Sequence, residues 1–207
     1  MTFKKFITFE GGEGSGKSTQ IKLLAQKIKN FDSVCVTREP GGTKSAEQIR
    51  KLLVRGKVNK WSSISELLLL YAARKDHVDN LILPELIKNK WVLCDRFSDS
   101  TYVYQGMCGL TPIDTIKKVE KLVIGNFKPK ITFLIDVDPK IGIKRSKRKG
   151  NKDIRYENMD MKFHHKVRKS YLKLAKFNKK RFIKIDGTKT ISQIENKIWN
   201  IVENEYF

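Results

Sequence analysis

The stretch FEGGEGSGKST, residues 9–19, has the spacing G-x-x-x-x-G-K-[ST] of a nucleotide-phosphate loop. The segment KKFITF before it contains the short apolar run of a buried strand, and the segment after it has apolar residues at helical spacing, at Ile21, Leu24, Ala25 and Ile28. In the order strand, glycine-rich loop and helix, this motif binds phosphate through converging backbone N–H groups and the positive end of the helix. The alternative is a chance glycine-rich turn.

The rest of the chain alternates between strand and helix patterns. Four more segments are apolar on consecutive positions, as expected for parallel strands covered on both faces: 33–39, 91–96, 131–137 and 181–186. Helical patterns cover 18–30, 44–55, 63–88 with a break near Pro84, 112–125, 139–149, 157–177 and 190–204. This alternation predicts a doubly wound α/β fold, and 207 residues suit a single domain.

The composition limits the possible partners and compartment. Lys and Arg number 43 against 22 Asp and Glu, so the net charge is +21 and nucleic acid is a conceivable partner. The lysines of 140–184 lack the interleaved aromatic residues of a base-stacking surface, which favours a solvated face over a specific nucleic-acid site. The longest apolar run, LLLLYAA, is too short to span a bilayer, and no signal-peptide pattern is found, so we expect a cytoplasmic protein without a membrane partner. The three cysteines and three histidines lack metal-ligand spacing and are interpreted as free thiols and ordinary side chains.

Polar residues follow the strands at the edge where ligands gather in such folds. Ser18 of the loop and Asp95 at the end of the third strand are suited to hold Mg²⁺. Arg38 and Arg96 end two strands and are suited to hold an acceptor phosphate through paired, charge-assisted hydrogen bonds. Alternatively, these arginines are structural ion-pair partners of Glu39 or Asp95.

Five segments together resemble thymidylate kinases along essentially the whole chain and in the same order: FEGGEGSGKST, TREPGGT, ELLLLYAARKDH, DRFSDSTYVYQG and DIRYENMDMKFHHKVRKSYLKLA. The resemblance implies a P-loop nucleoside-monophosphate-kinase fold with a five-stranded parallel sheet and a mobile lid at about 147–157. It also implies a homodimer that transfers the γ-phosphoryl group of ATP, with Mg²⁺, to dTMP in dTTP biosynthesis.

The resemblance also assigns roles to individual residues. ATP is bound by the loop residues Gly11, Gly12, Glu13, Gly14, Ser15, Gly16, Lys17, Ser18 and Thr19, and Arg145 lies against adenine. The acceptor dTMP is bound by Glu13 at its 3′-hydroxyl, by Arg38 and Arg96 at its phosphate, by Arg74 at thymine, and by Ser100, Thr101, Tyr104 and Gln105 around the sugar and base. Tyr104 crowds the 2′ position of the sugar. The alternatives are that Thr101 and Gln105 only cap or line a helix and that Tyr104 belongs to the core.

Two features distinguish this chain within the resemblance. Leu70 stands where family members commonly have a phenylalanine that stacks on thymine, which predicts weaker binding of the base. The loop has no arginine between Gly11 and Gly16, so a lid arginine, Arg148 or Arg155, is expected to neutralise the transferring group, as in the bacterial type. The alternatives are another nucleotide or deoxynucleoside kinase and, from a different class, a basic P-loop ATPase that binds nucleic acid.

Overall fold

The structure, a computed structural model, describes residues 2–56, 60–148 and 155–206. Its strands are β1 (Thr2–Glu10), β2 (Val34–Arg38), β3 (Trp91–Asp95), β4 (Lys128–Asp136) and β5 (Phe182–Asp186). Its helices are α1 (Lys17–Ile28), α2 (Lys44–Val54), α3 (Ser63–His77), α4 (Leu83–Ile87), α5 (Ser98–Thr101), α6 (Ile113–Ile124), α7 (Pro139–Lys147), α8 (Met161–Phe177) and α9 (Ile191–Tyr206). Two π-helical segments, Val78–Ile82 and Tyr102–Met107, continue α3 and α5.

The five strands form one parallel sheet in the order β2-β3-β1-β4-β5. The central strand β1 has apolar side chains on both faces, because Ile7 and Phe9 pack with α1 and α9 while Phe6 packs with α4 and Phe97. Burial on both faces is why the strands read as continuous apolar runs. The predicted parallel α/β fold is confirmed.

The structure differs from the predicted helices at one boundary and in one element, and it contains the predicted break near Pro84. The helix predicted to start at 157 begins at Met161, because the side chain of Asp160 caps it by accepting from the N–H of Phe163. The expected interruption near Pro84 takes the form of the π-helical segment just before α4. The helical segment from Ser98 to Met107 was not predicted, since its sequence contains neither a clear apolar period nor a strong cap.

The sheet brings the carboxyl ends of β1, β2 and β3 to one edge. Arg38 at the end of β2 pairs in register with Asp95 at the end of β3, and Asp95 pairs with Phe9 of β1. The glycine-rich loop, the TREPGG segment and the DRF segment therefore begin side by side. This edge carries the candidate site, as expected for open parallel sheets.

Two further predictions concern membranes and thiols. Across the described ranges, none of the helices is both long and apolar enough to cross a membrane. Cys35, Cys94 and Cys108 are free, and Cys94 is completely buried in β3.

Candidate active site

The glycine-rich loop joins β1 to α1 in a conformation that depends on its glycines. Gly14 and Gly16 have φ of 65° and 102°, which glycine adopts far more readily than other residues. A Cβ atom on Gly14 would lie 1.9 Å from the carbonyl oxygen of Gly142 in α7, so the loop packs directly against that helix. Lys17 opens α1 and is buried; its Nζ donates to the carbonyl oxygens of Gly11, at 3.1 Å, and Gly12, at 2.9 Å. The lysine thus lies folded over the loop whose backbone would hold a phosphate.

Ser18 and Asp95 meet at the edge of this loop. The Oγ atom of Ser18 donates to Oδ2 of Asp95 at 2.7 Å. Mg²⁺ prefers oxygen ligands, and these two oxygen atoms lie side by side. The part of the chain that the structure describes contains no cluster of three or more His, Cys, Asp or Glu residues able to hold a metal ion. The two predicted ligands are therefore together, in a small donor set of the kind that leaves room for water and phosphate oxygens.

The loop carboxylate Glu13 faces Arg96. Its Oε1 accepts from Nη2 of Arg96 at 2.8 Å and from the hydroxyl of Tyr104 at 3.0 Å. Burial by itself would raise the pKa of Glu13, but the charges of Arg96 and Lys17 and the Tyr104 hydrogen bond outweigh it and leave the pKa below its ordinary value. Glu13 is therefore an anion at neutral pH.

Arg38 points away from this cluster. Its Nη2 donates to both carboxylate oxygens of Glu47 in α2, each at 3.1 Å, and the side chain is 53% exposed. The ion pairs considered from the sequence, with Glu39 or Asp95, are not the ones found for Arg38 and Arg96; their partners are Glu47 and Glu13. An exposed pair of this kind contributes little to stability, so Arg38 can exchange Glu47 for another anion at small cost.

A cavity of about 130 Å³ extends from Glu13 and Arg96 between α2, α3 and the Ser98–Met107 segment. Arg74 lies on its wall, almost completely buried, and donates from Nε to Glu39 at 2.7 Å and from Nη2 to Thr101 at 3.1 Å. Its Nη1 is buried without a hydrogen-bond partner in the described structure. An unpaired buried donor is costly, so this atom is suited to receive an acceptor group from a ligand. Several predicted acceptor-site residues line the cavity: Glu13, Leu70, Arg74, Arg96, Ser100, Thr101, Tyr104 and Gln105.

Glu39 fixes the position of Arg74 and is itself bonded to a buried histidine. Its second oxygen contacts Nδ1 of His77 at 3.2 Å, and Nε2 of that ring contacts the hydroxyl of Thr37 at 2.7 Å. All of these groups are buried, and the ion pair with Glu39 raises the pKa of Arg74 against the effect of burial. His77 therefore belongs to the support of Arg74, and a role for Glu39 and His77 was not predicted from the sequence.

Glu66 lies behind the part of the cavity wall that Gln105 and Tyr156 form. Its carboxylate accepts from Nε2 of Gln105 at 2.8 Å, from the hydroxyl of Tyr156 at 3.0 Å, and from Nη2 of Arg155. Arg155 also donates to the carbonyl oxygen of Leu53 at 2.8 Å. One of the two arginines predicted to face the transferring phosphoryl group is thus engaged by Glu66 and the backbone of Leu53. Of the predicted lid, 147–157, residues 149–154 lie outside the described ranges.

A second cleft, of about 290 Å³, runs from the glycine-rich loop past Asp95 and Arg96. It shares Glu13 and Arg96 with the first cavity, so the two are contiguous at these residues. Arg50 of α2 lines both and donates to the carbonyl oxygen of Pro40 at 2.7 Å. The sequence reasoning missed Arg50, although its spacing of three residues from Glu47 on one helix was a usable signal.

The two remaining predicted arginines lie in α7 and directly after it. Nη1 of Arg145 donates to the carbonyl oxygen of Gly187, just after β5, at 3.2 Å. Arg148 follows the last residue of α7 and is exposed. Neither touches the 130 Å³ cavity or the 290 Å³ cleft.

Comparison with known proteins agrees with this geometry. A family model described as thymidylate kinase matches residues 9–198. The chain is 42% identical over 203 residues to the thymidylate kinase of Caulobacter vibrioides, covering 98% of this chain and 97% of that protein. It is 46% identical over 204 residues to that of Bartonella henselae, covering 96% and 94%. A crystal structure of thymidylate kinase from Ehrlichia chaffeensis superposes with a TM-score of 0.79 at 35% identity, covering 97% of this chain and 98% of that one.

Proposed function

We propose, because this chain belongs to the thymidylate kinase family, that its site consists of three regions: one for the phosphoryl donor, one for the metal ion and one for the acceptor. The reaction of the family is transfer of the γ-phosphoryl group of ATP to dTMP, which gives dTDP and ADP and serves dTTP biosynthesis. Because phosphoryl transfer requires little covalent chemistry from the protein, the residues act by positioning the substrates and by stabilising charge.

ATP binds at the loop from Gly11 to Thr19. Its phosphates accept hydrogen bonds from the backbone N–H groups at the start of α1. The Nζ of Lys17 exchanges the carbonyl oxygens of Gly11 and Gly12 for phosphate oxygens. Adenine lies toward Arg145 and the turn at Gly187, where that arginine already bonds the backbone.

Mg²⁺ is held by Ser18 and Asp95. The 2.7 Å hydrogen bond between them supports this proposal, since it places two hard oxygen ligands beside the phosphate loop. When bound by these two residues, Mg²⁺ would supply positive charge that offsets the negative charge of the phosphates.

The acceptor dTMP occupies the 130 Å³ cavity, from Arg96 to Gln105. Arg96, joined by Arg38 after it leaves Glu47, holds the phosphate; Ser100 lies beside it, and Glu13 accepts from the 3′-hydroxyl of the sugar. Tyr104 crowds the 2′ position, and Arg74, Thr101 and Gln105 bind thymine above Leu70. The observation that carries the assignment is the unpartnered, buried Nη1 of Arg74, because a carbonyl oxygen of thymine would satisfy it.

A lid arginine neutralises the transferring group. Arg148 is exposed and forms no ion pair with a carboxylate of the described ranges, whereas Arg155 must first release Glu66. Both arginines are candidates, and Arg155 requires the larger rearrangement to reach the transferring group. The lid, about 147–157, belongs to the same single domain, 1–207.

The protein acts as a cytoplasmic homodimer. Ile64 and Leu68 lie one turn apart on α3 and are 44% and 54% exposed, which leaves an apolar stripe suited to a second copy. Equilibrium sedimentation of the parent and of Leu68→Lys tests this: the parent is expected to be dimeric and the variant monomeric. A monomeric parent would contradict the dimer.

The decisive experiment measures ADP release from ATP with a panel of nucleoside monophosphates and, separately, with single-stranded DNA. We expect turnover with dTMP well above that with other monophosphates and no stimulation by DNA. Lys17→Ala is expected to abolish nearly all transfer, with Lys22→Ala on the exposed face of α1 as the matched control. Stimulation by DNA without transfer to dTMP would overturn the assignment in favour of a nucleic-acid-dependent ATPase.

A further inference from the structure

Glu10, the last residue of β1, is a fully buried carboxylate with no role in the reaction so far described. Its Oε1 accepts from the backbone N–H of Phe97 at 2.8 Å. Its Oε2 accepts from Oγ of Ser100 at 2.7 Å and from the hydroxyl of Tyr171 at 2.9 Å. Both hydroxyls also contact one atom of Arg96, the Nη1, at 3.3 Å for Ser100 and 3.0 Å for Tyr171.

The hydroxyls need an acceptor for their protons. A guanidinium only donates, so neither hydroxyl can give its proton to Arg96. The two hydroxyl oxygens lie 2.8 Å apart, so one can donate to the other, and the remaining proton then goes to the Glu10 carboxylate. The orientation of the two hydroxyls toward Arg96 therefore depends on the carboxylate behind them.

The backbone of Arg96 is also held by Glu10. Arg96 has φ of 68°, a left-handed conformation that a residue other than glycine adopts only when its surroundings impose it. The Phe97 N–H that binds Glu10 comes directly after this residue, and the N–H of Arg96 donates to the carbonyl oxygen of Phe9, directly before Glu10. The end of β1 thus fixes both the main chain and the side chain of Arg96.

We propose that Glu10 is a positioning residue for Arg96, which it orients toward the acceptor phosphate through the hydroxyls of Ser100 and Tyr171. The inference rests on the proposed role of Arg96 at that phosphate. Glu10 itself does not touch the reacting groups. Burial, and then the charge of Asp99, raise the pKa of Glu10 to about 7 although Arg96 opposes this, so the carboxylate is maintained there at an energetic cost.

Glu10→Gln tests the proposal with almost no change in shape. The amide oxygen must face the N–H of Phe97, so the amide nitrogen faces the two hydroxyls and donates to them. The pair of hydroxyls then has no carboxylate to take its outgoing proton, and that proton competes with the N–H groups of Arg96. By calorimetric titration we expect at least a fivefold loss of dTMP affinity, with ATP affinity changed less than twofold. Glu120→Gln, which alters another buried carboxylate bonded to a tyrosine hydroxyl, is the matched control and should leave both affinities unchanged.

A double-mutant cycle separates positioning from a merely structural effect. In an Arg96→Ala background, Glu10→Gln should cost no further dTMP affinity, because the residue it orients is gone. Additive losses would overturn the inference, as would an unchanged affinity of Glu10→Gln where Arg96→Ala is impaired. An unaffected Arg96→Ala would instead overturn the assigned role of Arg96, and the inference with it. If Glu10→Gln does not fold, Tyr171→Phe replaces it in the same cycle and should show the same loss of dTMP affinity and the same coupling to Arg96.

Discussion

Nη2 of Arg96 lies 2.8 Å from Oε1 of Glu13, so the one carboxylate of the phosphate loop is paired with an arginine from the end of the neighbouring strand. A negative charge in a loop that binds phosphate is unfavourable unless a cation compensates it. Arg96 provides that compensation at the junction of the acceptor cavity and the phosphate cleft. This pairing supports the proposal that Glu13 serves the second substrate rather than ATP.

Glu13→Ala is expected to weaken use of dTMP, and so is removal of the 3′-hydroxyl from the acceptor. A hydrogen bond to a charged group contributes about 1.5 to 3 kcal/mol, so each change alone should lower kcat/KM by roughly tenfold or more. The two losses should not add, since either one breaks the same contact. Steady-state kinetics of parent and variant with dTMP and its 3′-deoxy analogue complete the cycle, and additive losses would show that Glu13 does not contact the sugar.

Leu70→Phe should tighten dTMP binding. Leu70 is half-buried on the wall of the 130 Å³ cavity, and an aromatic ring there would stack on the base with a gain of about 0.5 to 1.5 kcal/mol, or roughly two- to tenfold in affinity. Calorimetric titration measures it, with Leu110→Phe on the exposed surface as the control. A sharp fall in affinity would mean that the larger ring overfills the cavity.

The two lid arginines should differ from ordinary basic residues in their effect on kcat. Arg148→Ala or Arg155→Ala is expected to lower kcat at least tenfold with little change in dTMP affinity, because an interaction made mainly in the transition state affects turnover. Lys140→Ala, on the exposed side of α7, should leave kcat unchanged.

The position of Arg155 makes this prediction sharper. If Arg155 serves only to hold Glu66 behind the wall of the acceptor cavity, its loss will raise the KM for dTMP and leave kcat intact. Parental turnover in both single variants and in the double variant would place the neutralising charge elsewhere, with Arg50 as the next candidate because it lines the phosphate cleft.

Glu10 should make stability depend on pH in a defined direction. Its pKa rises from 4.5 to about 7 on folding, so between these values the folded state holds a proton that the unfolded state has released. Stability from this group is therefore present at low pH and is lost as the pH rises through about 7; the full difference is on the order of 3 kcal/mol. The charged or titratable groups that interact with Glu10 are Asp99, Arg96, Lys17, Tyr104, Tyr171, Arg181 and Cys94.

Urea unfolding of the parent and Glu10→Gln at pH 5 and pH 8 isolates this contribution, because the other groups titrate in both proteins. The free energy of unfolding of the parent, relative to that of the variant, should be lower at pH 8 than at pH 5. Parallel pH profiles would show that Glu10 titrates at an ordinary pKa in the folded protein.

The sequence predicted the features that local patterns encode. The phosphate loop, the five apolar strands and the pairing of Ser18 with Asp95 follow from spacing and from strand order. The supports of the site do not, because Tyr171 reaches Glu10, and His77 reaches Glu39, only through tertiary packing of helices far away in sequence. The orientation of the Arg38 side chain toward Glu47 could not be predicted either, because it depends on the position of α2 beside β2.

The central place of β1 in the sheet has a consequence for how the chain folds. Phe9 is paired with Asp95 and Glu10 with Leu134, so both neighbours of β1 in the sheet come from segments far from it along the chain. Closing such long loops is slow compared with forming local helices. The phosphate loop, which follows β1, therefore takes up its final conformation late in folding. We expect nucleotide binding to appear during refolding only with complete sheet formation, which makes it a reporter of the native state.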